Sequence, residues 1–316
     1  MAPFAYIFPG QGSQYVGMGR DICDTFKAAR LVFEEAEDEI HLNLRRLAFE
    51  GPEDELFKTE NTQPVILVLS AAILAALRDA GVGSGKDRPL FSAGHSLGEY
   101  TALVAADAVT LRSAAGLVKK RGRFMQGAVP EGEGAMAAVI GMNREGLDAL
   151  AREVSTEDEI VVAANYNAPG QIVVSGHRAA INRLRERAKD AGALKVIPLK
   201  VSVPSHSPLM APAAESLATE LSGIAFASPA IPVVSNVTAA PYPGADSIGD
   251  LLVRQLVSPV RWEESIRHMI DQGVTDFIEI GPGKVLAGLN RRIDPKASAM
   301  SVGDVRSVAE AEKKFH

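Results

Sequence analysis

The chain has 316 residues, 33 basic against 39 acidic side chains, a formal net charge of −6 and 47% hydrophobic content. That is ordinary globular material for one large domain or two smaller ones, and it lacks the basic face that nucleic-acid binding needs. The single cysteine, Cys23, excludes an internal disulfide framework and fits a reducing compartment.

"FAYIF" (4–8) reads as a short buried strand that ends at Pro9-Gly10. Helical patterns follow through residue 50, and the acidic stretch "EEAEDE" (34–39) is a solvated helix face. Pro64 reads as the first turn of a long helix that stops at Gly81. The longest apolar run, Pro64 to Leu77, falls short of the roughly 20 residues a spanning helix needs, and the start "MAPFAYIFPG" lacks the features of a signal peptide. A soluble cytoplasmic monomer with no membrane contact is expected. "VGSGKDR" (82–88) is a surface loop, and "PLFSAG" (89–94) is a strand that runs into a helix over 97–106.

Residues 128–202 read differently. "GAMAAVIGM" (134–142) is strand-like, "NREGLDALAREV" (143–154) helical with Asn143 as cap, and "EIVVAANYN" (159–167) and "QIVVSG" (171–176) form a hairpin. "AAINRLRERAKDAG" (179–192) is helical and "LKVIPLKVS" (194–202) a last strand, with Pro198 marking an edge or an end. Strand-helix-strand-strand-helix-strand is the split unit of a ferredoxin-like domain. The expectation is therefore a large α/β part (1–127 and 203–316) with a mainly parallel sheet, carrying an inserted α+β part (128–202). "IPVVSNV" (231–237) and "DFIEIGP" (276–282) resume buried strands.

"GHSLG" holds Gly-x-Ser-x-Gly between a strand and a helix, the context of a nucleophile elbow at Ser96. Ser96 to Glu99 is also a capping box, in which Glu99 would reach back to the cap. At an elbow the Ser96 hydroxyl faces a cleft and the Leu97 N–H points at a developing oxyanion. His41, His177, His268 and terminal His316 suit other roles, and adjacent His95 suits support of the turn. His206, held between Pro204 and Pro208, is the candidate base. The histidines are dispersed and no cysteine pair exists, so no metal site is expected. No acid stands out as a third member, which leaves a Ser-His dyad. In "TLRSAAGLVKKRGRFMQ" (110–126), Leu111, Ala114, Leu117, Val118 and Met125 share one stripe. Lys119, Lys120 and Arg123 face away, with Lys119 and Lys120 solvated, while Arg121 falls within the stripe. A guanidinium aimed at a core needs an anion: an internal acid, or a substrate carboxylate. "FPGQGSQ" (8–14) is no dinucleotide fingerprint but could bring the Gln11 N–H to an oxyanion. "IGPGKVLAGL" (280–289) suits tight packing, with a nearby phosphate as the other reading.

Six motifs, "FPGQGSQYVGMG", "GHSLGEYTAL", "KKRGRFMQ", "NYNAPGQIVVSG", "VPSHSPLM" and "IGPGKVLAGL", occur in order across nearly the whole chain. In these the sequence resembles the malonyl-CoA:acyl carrier protein transacylases of type II fatty acid synthesis. The resemblance implies an α/β-hydrolase-like core with a ferredoxin-like insert, and ping-pong acyl transfer from malonyl-CoA to acyl carrier protein with no bound cofactor. It implies Ser96 as nucleophile, His206 as base, the Gln11 and Leu97 N–H groups as oxyanion hole and Arg121 on the malonyl carboxylate. It also implies that the Gln255 carbonyl orients His206 and that Asn165 and Met125 line the substrate site. In similar polyketide acyltransferase domains the residues before the histidine, here Val203-Pro204-Ser205, track the choice between malonyl and methylmalonyl. A serine esterase or thioesterase, a methylmalonyl-accepting acyltransferase and a carrier-protein binding module are the competing readings. Arg183, Arg185, Arg187, Lys189 and Lys195 are candidate contacts for an acidic carrier protein.

Overall fold

In a computed structural model of the chain, residues 2–83, 88–199, 201 and 203–315 are described. Most of the loop expected over 82–88, and Lys200, Ser202 and His316, lie outside the described residues.

Among the described residues, nine strands form two sheets. The first holds β1 (Phe4–Phe8), β2 (Phe91–Gly94), β7 (Val233–Val234), β8 (Asp276–Ile280) and β9 (Ser298–Val302), all parallel, in the order β7-β2-β1-β8-β9. Every residue of β1 is buried, as an apolar run covered on both faces of a parallel sheet requires. Phe4, Tyr6 and Phe8 join one core with the helix Thr59–Asp79, whereas Ala5 and Ile7 join a second core with Trp262, Ile266 and Met269. The second sheet holds β3 (Gly134–Ile140), β4 (Val161–Ala168), β5 (Gln171–His177) and β6 (Lys195–Pro198), antiparallel in the order β4-β5-β3-β6. Helices Arg144–Val154 and Arg178–Ala188 connect its strands and close a core of their own. The fold is thus α/β with an inserted ferredoxin-like sheet, the class the sequence predicts.

The two sheets are joined where the site lies. Val260 N–H donates to Ala164 O at 2.8 Å and Tyr166 N–H to Val260 O at 2.9 Å, so the chain after residue 257 runs alongside β4. Beside this junction Arg144 binds Glu264 at 2.9 Å.

Three sequence expectations change. The long helix is Thr59–Asp79, with Pro64 inside it rather than in its first turn. Its opening residues are polar, yet Thr59, Thr62 and Gln63 are buried. They face other polar groups, so apolar periodicity does not reveal them. At 21 residues and mean hydropathy 1.5 this helix is long and apolar enough to cross a membrane, but 83% of the apolar window is buried inside the fold. The strand expected over 231–237 shrinks to Val233–Val234, because Ser235 N–H turns to Ala240 O. Lys119 is not simply solvated: its ammonium donates to Ile40 O at 2.7 Å, at the end of the helix Lys27–Ile40.

Candidate active site

The turn at Ser96 is built by close packing. Strand β2 ends at Gly94 and the helix Leu97–Ala105 begins three residues later. A Cβ on Gly94 would lie 1.9 Å from Gly98 C, and one on Gly98 would lie 2.1 Å from Phe8 O. Only glycine fits either position, and the backbone is left so tightly turned that Ser96 sits at φ +51°. Ser96 N–H donates to Asn236 Oδ1 at 2.7 Å, and Asn236 Nδ2 donates to Gly94 O at 2.7 Å.

The capping box does not form. Ser96 makes no side-chain cap. Its Oγ lies 2.8 Å from His206 Nε2 and 3.2 Å from Arg121 Nη2. Glu99 bonds Tyr242, Gln255 Nε2 and Asn236 N–H instead of returning to the cap. A buried carboxylate takes the strongest donors within reach, and here these are tertiary.

His206 is buried, at φ +60° on the loop before Pro208–Met210. Its Nδ1 lies 2.8 Å from the backbone oxygen of Gln255. A carbonyl only accepts, so Nδ1 carries the proton and Nε2 is free to accept from the Ser96 hydroxyl. Burial above all, and then the Arg121 charge, push the imidazole down to about 3, so it stands neutral.

Arg121 is 1% exposed on the helix Leu111–Gly127. Nη1 donates to Gln63 Oε1 at 2.7 Å and Nη2 to Gln255 Oε1 at 2.9 Å, while Nε has no partner. No carboxylate forms a salt bridge with it among the described residues. Of the two sequence readings for this guanidinium, an internal acid or a substrate carboxylate, no internal acid pairs with it among the described residues. Gly122 permits its approach, since a Cβ there would lie 2.7 Å from Thr59 O on the neighbouring helix.

Gln11, Ser96, Leu97, Arg121, Met125, Asn165 and His206 line one cavity of about 110 Å³, with Val203 and Ser205 in its wall. Gln255 lies behind it. Leu97 heads its helix, so its N–H has no intrahelical acceptor and adds to the positive helix end. A groove of about 450 Å³ between the two sheets adjoins the cavity and shares Gln11, His95 and Asn165 with it. Larger grooves elsewhere do not reach Ser96, so volume alone does not mark the site. His95 supports the turn: its ring meets Asn167 Oδ1 at 2.8 Å and packs on Trp262.

Sequence reasoning missed Asn236, Gln63, Tyr242 and the tertiary role of Glu99. The available signal was a polar residue inside an apolar run, as in "VVSNV". The helix end in "IGPGKVLAGL" is already filled, because Glu279 accepts from the N–H groups of Leu286 and Ala287 at 3.0 Å each. That favours packing over a phosphate there.

The acyl transferase domain model matches residues 5–312. The chain belongs to the acyl transferase domain family. It is 46% identical over 308 residues to the malonyl CoA-acyl carrier protein transacylase of Bacillus subtilis (strain 168), covering 98% of this chain and 96% of that protein. To the enzyme of the same name from Escherichia coli (strain K12) it is 45% identical over 311 residues, covering 98% and 99%. The solved malonyl CoA-acyl carrier protein transacylase of Coxiella burnetii superposes with a TM-score of 0.95 at 39% identity, over 99% of this chain and 98% of that one. A malonyl-transacylase in complex with its type II PKS acyl-carrier protein does so at 0.95 and 45% identity, over 99% and 100%. This acyl transferase therefore resembles its relatives over almost their whole length.

Proposed function

We propose that this acyl transferase moves a malonyl group from malonyl-CoA to the phosphopantetheine thiol of acyl carrier protein through a malonyl-Ser96 ester. His206 Nε2 takes the Ser96 proton as Oγ attacks the thioester carbonyl. The Gln11 and Leu97 N–H groups receive the oxyanion. As the C–S bond breaks, the imidazolium returns the proton to the departing CoA sulfur. In the second half the carrier thiol gives its proton to His206, attacks the ester, and Ser96 leaves as the hydroxyl. Gln255 O steadies the imidazole throughout, and Asn165 and Met125 wall the acyl chain.

One observation carries the reading: a buried guanidinium with no carboxylate partner among the described residues stands 3.2 Å from the Ser96 hydroxyl. A malonyl carboxylate supplies the missing anion, while acetyl leaves the cation unpaired. An esterase needs no such clamp. Intact-mass analysis of wild type, Ser96→Ala and Arg121→Ala after malonyl-CoA, methylmalonyl-CoA and acetyl-CoA tests it. The expected result is one malonyl per wild-type chain and none on Ser96→Ala. Equal labelling by acetyl-CoA in the wild type would sink it.

We take 128–202 as the smaller subdomain and 1–127 with 203–316 as the larger, in a cytoplasmic enzyme. Of the candidate carrier-protein contacts, Arg183 is engaged by Glu159 and Arg187 by Glu153. Arg185, Lys189 and Lys195 line one groove and remain the better candidates.

A further inference from the structure

Glu99 plays no part in the transfer scheme, yet it is 0% exposed and sits beneath the nucleophile. One oxygen accepts from Tyr242. The other accepts from Gln255 Nε2 at 2.6 Å and from Asn236 N–H at 3.2 Å. Gln255 Nε2 also donates to Ser96 O at 3.0 Å. Both amide hydrogens of Gln255 therefore have acceptors, and its Oε1 is left facing Arg121 Nη2 at 2.9 Å. A flipped amide would set N–H groups against the guanidinium and its oxygen against a carboxylate and a carbonyl.

We propose that Glu99 is a positioning residue: it locks the Gln255 side-chain amide, and that amide sets the Arg121 guanidinium for the substrate's carboxylate. The proposal rests on the malonyl reading above and deepens it. Arg121 has need of such an anchor. Its Nε is unpartnered, and among the described residues its other hydrogen-bond acceptors are Gln63 Oε1 and the reacting Ser96 oxygen, with the Tyr100 ring 5.3 Å from the guanidinium. The catalytic imidazole is held by the backbone oxygen of Gln255, so loss of the side-chain link should spare it.

The test is the initial rate of enzyme acylation by malonyl-CoA and by acetyl-CoA, followed by intact mass. Glu99→Ala and Gln255→Leu each break the link. Each should lower the malonyl-over-acetyl ratio about tenfold, mainly through KM for malonyl-CoA. The double variant should be no worse than either single one, since both cut one chain of contacts. Glu99→Gln can turn its oxygen to Gln255 and its amide NH2 to the Tyr242 oxygen, and should keep the ratio within about twofold. If Glu99→Ala does not fold, Gln255→Leu carries the test alone. Equal losses on both substrates would mean a merely structural role and overturn the proposal. So would an unchanged ratio in Gln255→Leu while Arg121→Ala collapses it. An unchanged ratio in Arg121→Ala as well would overturn the malonyl reading itself.

Discussion

His206 Nδ1 lies 2.8 Å from the carbonyl oxygen of Gln255, so the imidazole is oriented by a neutral dipole rather than by a carboxylate. The dipole fixes the tautomer but adds little stabilisation to an imidazolium. Burial and the nearby Arg121 charge then hold the ring well below its ordinary range.

Arg121 is the second cause of that depression, after burial. Arg121→Met should therefore raise the His206 pKa while leaving it below 6.5, because the burial remains. A proton NMR titration of the ring resonances measures this. A pKa unchanged or lowered in the variant would contradict the electrostatic account.

Selectivity should depend on the same cation. Arg121→Ala should slow acylation by malonyl-CoA at least about a hundredfold, the scale expected when a buried charge-assisted contact is lost. Acylation by acetyl-CoA should change far less. Quenched-flow rates for the two thioesters decide the point, and parallel losses would remove the clamp from consideration.

Ser96 stores backbone strain at φ +51°. Residues held in such regions cost on the order of 1–3 kcal/mol. Ser96→Gly should then be more stable than Ser96→Ala by about 1 kcal/mol, although both are inactive. Urea denaturation of the two variants provides the comparison. Equal midpoints would show that the turn is unstrained.

Two buried groups should shape stability against pH in opposite ways. Burial lowers His206 from 6.5 to about 3, and lowers the neighbouring His95 too. Below 6.5 the unfolded histidine gains a proton that the folded one refuses, so stability falls as pH drops from 6.5 towards 3. Burial raises Glu99 from 4.5 to about 7. Its folded form holds a proton that the unfolded form has released, so its contribution is full below 4.5 and is lost as pH rises through 7. The two effects offset each other between 4.5 and 6.5. Glu99→Gln removes one of them. The wild-type Tm should gain on that of Glu99→Gln as pH falls from 7 to 4.5, in a calorimetric series. A gap that narrows on acidification would reverse the sign assigned to Glu99.

The two sheets were legible because their strands carry distinct patterns. β1 is an unbroken apolar run, β8 is fully buried although it carries Asp276 and Glu279, and β3 to β5 are separated by a capped helix and a Pro-Gly turn. Ser96, Arg121 and His206 stood out for local reasons: a glycine-flanked turn, a cation in an apolar stripe and a histidine between prolines. The polar start of the helix Thr59–Asp79 did not, since its buried face meets Gln11 and Arg121 rather than hydrocarbon.

By itself, then, the sequence determined which residues are rigid, buried or chemically apt, because those properties follow from local sterics and periodicity. Only the tertiary structure decided which of them meet. Ser96 and His206 lie 110 positions apart and Arg121 and Gln255 lie 134 apart, yet each pair is within hydrogen-bonding distance. The same long-range packing took Glu99 from its local cap to Tyr242 and Gln255, because a carboxylate sealed from water must bond whatever donors the fold brings to it.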